Sequence, residues 1–282
     1  MAFSVGLGIL PVIWSIFTLS APILGYSVAV SSHHLYPFLP AISDTGSREP
    51  EANIFSMLMN LSVFSGIFNI YVRFYQCDLQ IQYCRDIRET LVRLNRTGVV
   101  FAVISIVGAI VVSNFHSRAD RALVSVHDAG AVLLFTFGGF YFWIQTILGY
   151  LMRPYGIYSG CICHLRLIMT TTITLCSIIF FTGSAYGYEQ FAKHNHHHTI
   201  SQWMPADGGY AFHVVGNTAE WLALFSFVGM SLSYYSEFEG VSITVTCREK
   251  QMNPVSPADA LSEYAPLRFS FEDCTEGDRG SR

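Results

Sequence analysis

His213, Asn217 and Glu220 recur at i, i+4 and i+7, a spacing that puts an imidazole, a carboxamide and a carboxyl group on one helical face. The residues around them, Tyr210 to Tyr235, are otherwise apolar enough to cross a bilayer. At 1.5 Å per residue, Glu220 then lies roughly 15 Å from Tyr210, close to mid-membrane. Ionised and unpaired there, it would cost at least about 2.5–3.5 kcal/mol, so it must be neutral, paired or facing water. No arginine or lysine stands deep in any apolar stretch to pair it. Its candidate partners are His213 and, if the helices that carry them pack together, the adjacent His127 and Asp128. Two more carboxyls, Asp44 and Glu51, sit in the polar connector Pro37–Glu51 (PFLPAISDTGSREPE) and join the same candidate polar cluster.

Three kinds of chemistry are open to this set. A protonated Glu220 would donate one hydrogen bond that fixes helix packing. A carboxylate–histidine cluster would respond to protons. Acid–base catalysis would need Asp44, His127, Asp128, His213 and Glu220 to converge on a substrate-sized cavity. Glu220→Gln separates ionisation from hydrogen bonding, because glutamine keeps the shape and cannot ionise.

The elements that must position these groups are membrane spans. Of 282 residues, 51% are hydrophobic and 13% charged, against about 25% charged in a soluble globule; mean hydropathy is +0.39. Apolar stretches near 7–30, 53–72, 97–114, 123–151, 167–187 and 210–235 are each of the length that a hydrocarbon core of about 30 Å requires. The first lacks a basic leader and a small-residue cleavage site, so it reads as a retained span rather than a signal peptide. The predicted fold is an all-α, six-helix membrane bundle over residues 1–237, with a disordered tail over 238–282. Pro37 and Pro40 break the chain between the first two spans, Asp44-Thr45-Gly46 is turn chemistry, and Pro50-Glu51 is a helix entry.

Basic residues set the expected orientation. With both termini cytosolic, only Arg48, Arg118, Arg121 and Lys193 fall on the luminal side; the other 12 of the 16, Arg73 and Arg166 among them, fall on the cytosolic side. Cys161 and Cys163, beside the fifth span, are candidate palmitoylation sites. Nine of the ten histidines fall on or near the luminal side, so an acidic lumen would shift that face toward positive charge. The run His194–His198 is most simply a solvated loop; it has no carboxylate to complete a metal site. In the second span, Asn60, Ser62, Ser65 and Asn69 read as hydrogen bonds across helices, and Gly130, Gly138, Gly139 and Gly149 in the fourth permit close approach. The arginine-rich RDIRETLVRLNR (residues 85–96) is either a surface-lying helix or an extension of the third span.

Several segments together resemble the DRAM proteins, the damage-regulated autophagy modulators. They are Leu35–Glu51, Ile70–Arg73, Leu94–Gly98, Ser113–Phe115, His127–Ala131, Gln145–Tyr150 and Ala219–Trp221. That family sits in a wider superfamily with Sfk-type membrane proteins and the Frag-type protein of GPI-anchor maturation. Ala41 stands where the family usually has tyrosine, and Asp128 where a small or hydroxyl residue is expected, so no role for Asp128 is inherited. The resemblance implies a six-span protein of lysosomal or late-endosomal membranes that promotes autophagy and influences cell death, and it implies no catalytic residues.

In the tail, Tyr264 and Leu267 (YAPL) resemble a tyrosine-based sorting signal read by clathrin adaptors. Expected partners are membrane lipids, a clathrin adaptor through this tail, and autophagy or lysosomal proteins. No nucleic acid, metal or cofactor is expected, since no Walker loop or zinc-finger spacing occurs. Two functions remain open: a non-enzymatic membrane regulator, and a luminal-facing lipid-binding protein or lipid-modifying enzyme that uses the carboxylate–histidine cluster.

Overall fold

Backbone N–H and C=O groups in hydrocarbon must be satisfied within the segment, so long apolar stretches become helices. The computed structural model describes residues 3–116, 121–194 and 200–245. Six long helices result: α1 (Ile9–Ser31), α2 (Glu51–Ile81), α3 (Arg88–Asn114), α4 (Arg121–Met152), α5 (Gly160–His194) and α6 (Tyr210–Leu232). By length and composition, α1 to α5 are long and apolar enough to cross a membrane. The sixth is not among them: it is 23 residues long and gives one buried face to His213, Asn217 and Glu220. Outward faces carry exposed Met57, Phe64, Val103 and Ile168, side chains that suit lipid rather than water.

The fold departs from all-α at one point. A short α7 (Tyr235–Glu239) turns the chain back after α6, and β1 (Phe3–Gly6) pairs antiparallel with β2 (Ser242–Val245). Residues 242–245, Ser-Ile-Thr-Val, are largely β-branched and suit a strand better than a helix. Phe238 and Val241 are buried in the same core as Leu7 and Met230, so the packed body extends past residue 237.

Helices also run further than the apolar stretches that seeded them. No Gly or Pro interrupts residues 73–81, and α2 continues to Ile81. Most of RDIRETLVRLNR is the start of α3, which settles it as an extension of the third helix. Arg73 and Arg166, expected among loop-side charges, therefore lie within α2 and α5, and each is 1% exposed. A helix that extends past its apolar run carries its polar residues into the bundle, which makes both arginines interior.

Polar residues of α2 reach across helices as expected. Ser62 meets Thr18 of α1 at 2.5 Å, Asn60 and Asn114 of α3 exchange amide hydrogen bonds at 3.1 Å, and Asn69 donates to the Leu10 carbonyl at 3.2 Å. Ser65 instead bonds within its own helix, to the Ser62 carbonyl. Where α3 crosses α4, a Cβ on Gly108 would lie 2.6 Å from the Gly130 carbonyl oxygen, so the approach depends on glycine.

Candidate functional site

The connector between α1 and α2 is held down by α6. A 3₁₀ turn over Ser43–Gly46 presents the backbone to that helix. Glu220 accepts a hydrogen bond from the Ile42 amide through Oε2 at 2.8 Å. One turn away, Asn217 donates to the Leu39 carbonyl at 2.8 Å, and Trp221 donates to the Pro40 carbonyl at 3.0 Å. The i, i+4 face thus acts on backbone groups: three successive stretches of connector are paired by three side chains of one helix. Leu39 has φ of 44°, a left-handed conformation that this pairing sustains. His213 stacks on Trp203 with ring centroids 4.3 Å apart, and its Nε2 lies 3.1 Å from Asn217 Nδ2.

The other predicted residues make contacts of their own. Asp44 is buried within the 3₁₀ turn. Glu51 is fully buried at the start of α2, with Oε1 2.8 Å from His34 Nδ1. His127 Nδ1 is 2.6 Å from the Phe115 carbonyl; a carbonyl only accepts, so Nδ1 carries the proton. Asp128, on the same helix, is exposed. Neither His127 nor Asp128 bonds Glu220, whose protein partner is the connector backbone and whose role there is acceptor. In the loop after α3, burial and the neighbouring His127 charge hold His116 below the usual histidine range, with Glu49 opposing.

At the other end of the bundle stands a cluster that sequence reasoning missed. From Glu51 to Arg73 along α2 is about 33 Å at 1.5 Å per residue, roughly a hydrocarbon thickness. Arg73 donates through Nε to Gln145 at 2.8 Å, and through Nη1 to Gln76 at 2.9 Å, Tyr158 at 3.1 Å and Glu237 at 3.0 Å. Arg166 reaches the same carboxylate at 2.5 Å and holds Ser233 through both its hydroxyl and its carbonyl. Both guanidinium groups lie over the Tyr234 ring, 4.4 and 4.0 Å from its centroid. Burial pushes the Tyr158 phenol up to about 12, against the pull of Arg73, so it stays neutral and hydrogen-bonds Gln80. A sequence signal existed: Arg73 ends one family-like segment, Ile70–Arg73, and Gln145 opens another, Gln145–Tyr150, but nothing in either names the other as its partner.

Between the two ends runs one cavity of about 1100 Å³. Asp44, His127, Asp128, His213 and Glu220 all line it, as do Arg73 and Tyr234. Its walls are largely aromatic and aliphatic, including Phe135, Phe142 and Phe227. Glu51 does not line it. Among the described residues, no three His, Cys, Asp or Glu side chains come together as a metal site. The two cysteines fall in the first turn of α5, where Cys161 is exposed and Cys163 is buried. Tyr264 and Leu267, and His196 to His198, lie outside the described residues.

Residues 6–241 match the family described as Frag1/DRAM/Sfk1/Cwh43P N-terminal domain. The chain belongs to this family. Among its relatives, the DNA damage-regulated autophagy modulator protein 2 of Rattus norvegicus is 35% identical over 274 residues, covering 94% of this chain and 97% of that one. The Homo sapiens protein of the same name is 33% identical over 86% of this chain and 88% of its own. Homo sapiens DNA damage-regulated autophagy modulator protein 1 is 29% identical over 87% and 97%. No solved structure matches. With its apolar helices, the chain is a multi-pass membrane protein of the DRAM group.

The segments that carry the resemblance meet in pairs. Leu35–Glu51 meets Ala219–Trp221 at the connector clasp, Ser113–Phe115 meets His127–Ala131 at the histidine–carbonyl bond, and Ile70–Arg73 meets Gln145–Tyr150 at the buried arginine. Asn95, from Leu94–Gly98, donates to the Phe74 carbonyl directly after Arg73.

Proposed function

We propose that this DRAM-family chain is a six-span protein of lysosomal or late-endosomal membranes that regulates autophagy without catalysing a reaction. Both termini face the cytosol, and the protein acts through partners or lipid organisation. Five of the candidate residues do line one cavity, but the observation that carries this reading is the use of Glu220 and Asn217, whose polar groups are engaged by the connector backbone instead of forming an acid–base pair. The names of the relatives, DNA damage-regulated autophagy modulators, support the autophagy role. The test is loss and rescue. Removing the protein lowers autophagic flux, and both the parent and Glu220→Gln restore it at matched abundance, because glutamine still accepts from the Ile42 amide. Lost rescue by Glu220→Gln with normal abundance and lysosomal location would overturn the structural role in favour of ionisation.

Tyr264 and Leu267 recruit a clathrin adaptor in this reading, and Tyr264→Ala raises the cell-surface fraction. Unchanged steady-state location for both Tyr264→Ala and Leu267→Ala would remove the signal. For lipid modification, exposed Cys161 is the candidate of the pair; an acyl-exchange signal that survives Cys161→Ser would argue against it.

A second reading, a lipid-binding protein, is favoured by the cavity. At about 1100 Å³ it exceeds the roughly 300–1,000 Å³ of sites for drug-sized ligands, and its largely apolar wall suits an acyl chain. Co-purification of a stoichiometric lipid supports this reading, and a cavity that takes up no amphiphile from micelles removes it.

A further inference from the structure

Two buried guanidinium groups at the α7 end share a single carboxylate. Arginine does not lose its proton in a protein. Tyr158 stays neutral, and the remaining side-chain partners of Arg73 and Arg166, which are Gln145, Gln76 and Ser233, carry no charge. The cluster therefore keeps a surplus of one positive charge away from water.

Its hydrogen bonding is incomplete in the same place. Arg73 Nη2, Arg166 Nη1 and the Tyr234 hydroxyl are buried and have no partner. Buried donors are ordinarily paired, so three orphans around one surplus charge need a reason. Arg73 and Tyr234 both line the cavity, whose wall from there onward is Ala102, Phe142, Phe227, Gly138 and Phe135. The far end carries the carboxyls Asp44 and Glu220. A ligand with one anionic end thus has a single favourable direction.

We propose that the Arg73–Tyr234 end of the cavity binds the oxyanion head of a single-chain amphiphile, whose tail lies along the phenylalanine wall toward Glu220. The inference rests on the reading that the cavity takes a lipid, and it adds the charge, the end and the hydrogen-bond donors. An oxyanion at this end accepts from Arg73 Nη2 and from the Tyr234 hydroxyl and balances the second guanidinium. Charge-assisted bonds of this kind are stronger than neutral ones. The same chemistry is met by a fatty-acid carboxylate and by the phosphate of a lysophospholipid.

The full-length protein, delipidated in a neutral detergent, is titrated with oleate, oleoyl lysophosphatidate and oleyl alcohol, and adducts are counted by native mass spectrometry. One equivalent of at least one anion is expected to bind about tenfold or more tightly than oleyl alcohol. A preference for oleate assigns the carboxylate, and a preference for the lysolipid assigns the phosphate. Tyr234→Phe removes only a hydroxyl with no protein partner and keeps the ring beneath both guanidinium groups. It should leave the melting temperature near the parent's and weaken anion binding about tenfold, while oleyl alcohol is unaffected. Phe227→Trp narrows the tail wall and should weaken all three ligands alike. Equal binding of oleyl alcohol and both anions overturns the anion site but leaves the lipid cavity standing. Anion binding unchanged by Tyr234→Phe also overturns the site, and binding of none of the three overturns both.

Discussion

The two ends of the cavity handle buried polarity in opposite ways. At the connector end, the acid of α6 is matched to a neutral backbone amide, and the neighbouring Asn217 and Trp221 donate to backbone carbonyls. A carboxyl group can surrender its charge by taking a proton, so such an end needs no fixed counter-ion. At the α7 end the charges are guanidinium groups, which have no neutral form to retreat to. That end is built from a carboxylate, aromatic faces and side-chain amides, and it still leaves donors unmatched. An acid can thus help fasten a membrane fold without a counter-ion, whereas buried arginine requires one.

Breaking the α7 end should do the most damage. Glu237→Gln leaves two buried guanidinium groups without an anion, and removal of one partner from a buried ion pair costs about 3–5 kcal/mol. The variant should melt well below the parent in detergent; a melting temperature within a few degrees would show that the carboxylate is dispensable. The connector end should be more forgiving. Asn217→Ala strands the Leu39 carbonyl and is expected to cost about 1–3 kcal/mol. Glu220→Gln keeps an acceptor for the Ile42 amide and should cost well under that, so the order Glu237→Gln, Asn217→Ala, Glu220→Gln on one thermal scale sharpens the contrast. A Glu220→Gln loss as large as that of Glu237→Gln would erase it.

The smallest expected effect concerns pH. His116 is held below the usual histidine range by burial, then by His127, with Glu49 acting the other way. Its folded form binds fewer protons than its unfolded form between the lowered value and about 6.5. The stability it contributes is therefore present above about pH 6.5 and is lost as pH falls through the folded value. His116→Gln cannot charge and should show a shallower drop in melting temperature between pH 7.5 and pH 5. Parallel curves for parent and variant would assign the acid response elsewhere. Accessibility offers one more check on the orientation. A membrane-impermeant thiol reagent added from the cytosolic side should label exposed Cys161, while buried Cys77 and Cys84 stay protected. Labelling of Cys161 from the lumen of sealed vesicles would reverse the topology.

Much of the architecture was legible because hydropathy and helix breaking are local. Apolar runs placed the starts of α1, α2, α4 and α6 to within two residues, as at Pro50 before α2 and Gly209 before α6, whereas α3 and α5 begin nine and seven residues before theirs. The polar face of α6 was legible too, since i, i+4, i+7 geometry follows from the helical repeat alone. Cross-helix bonding by Asn60, Ser62 and Asn69 followed from the need to satisfy polar groups in lipid.

What those faces touch depends on how the helices pack. Glu220 bonds Ile42, 178 residues earlier, and Arg73 bonds Glu237, 164 residues later. Neither contact leaves a periodic trace, because a partner across the bundle is set by which helices pack, and packing depends on shape summed over whole faces. Arg73 and Arg166 looked like loop charges, since positive residues beside an apolar run usually mark its end. They became interior groups because α2 and α5 continue past their apolar cores and α7 folds back to supply Glu237. Hydropathy and helical periodicity suffice to make this chain a helical membrane protein with a polar stripe on its sixth helix. The fold alone determined that the stripe fastens a connector, and that a cavity joins it to two arginines sharing one carboxylate.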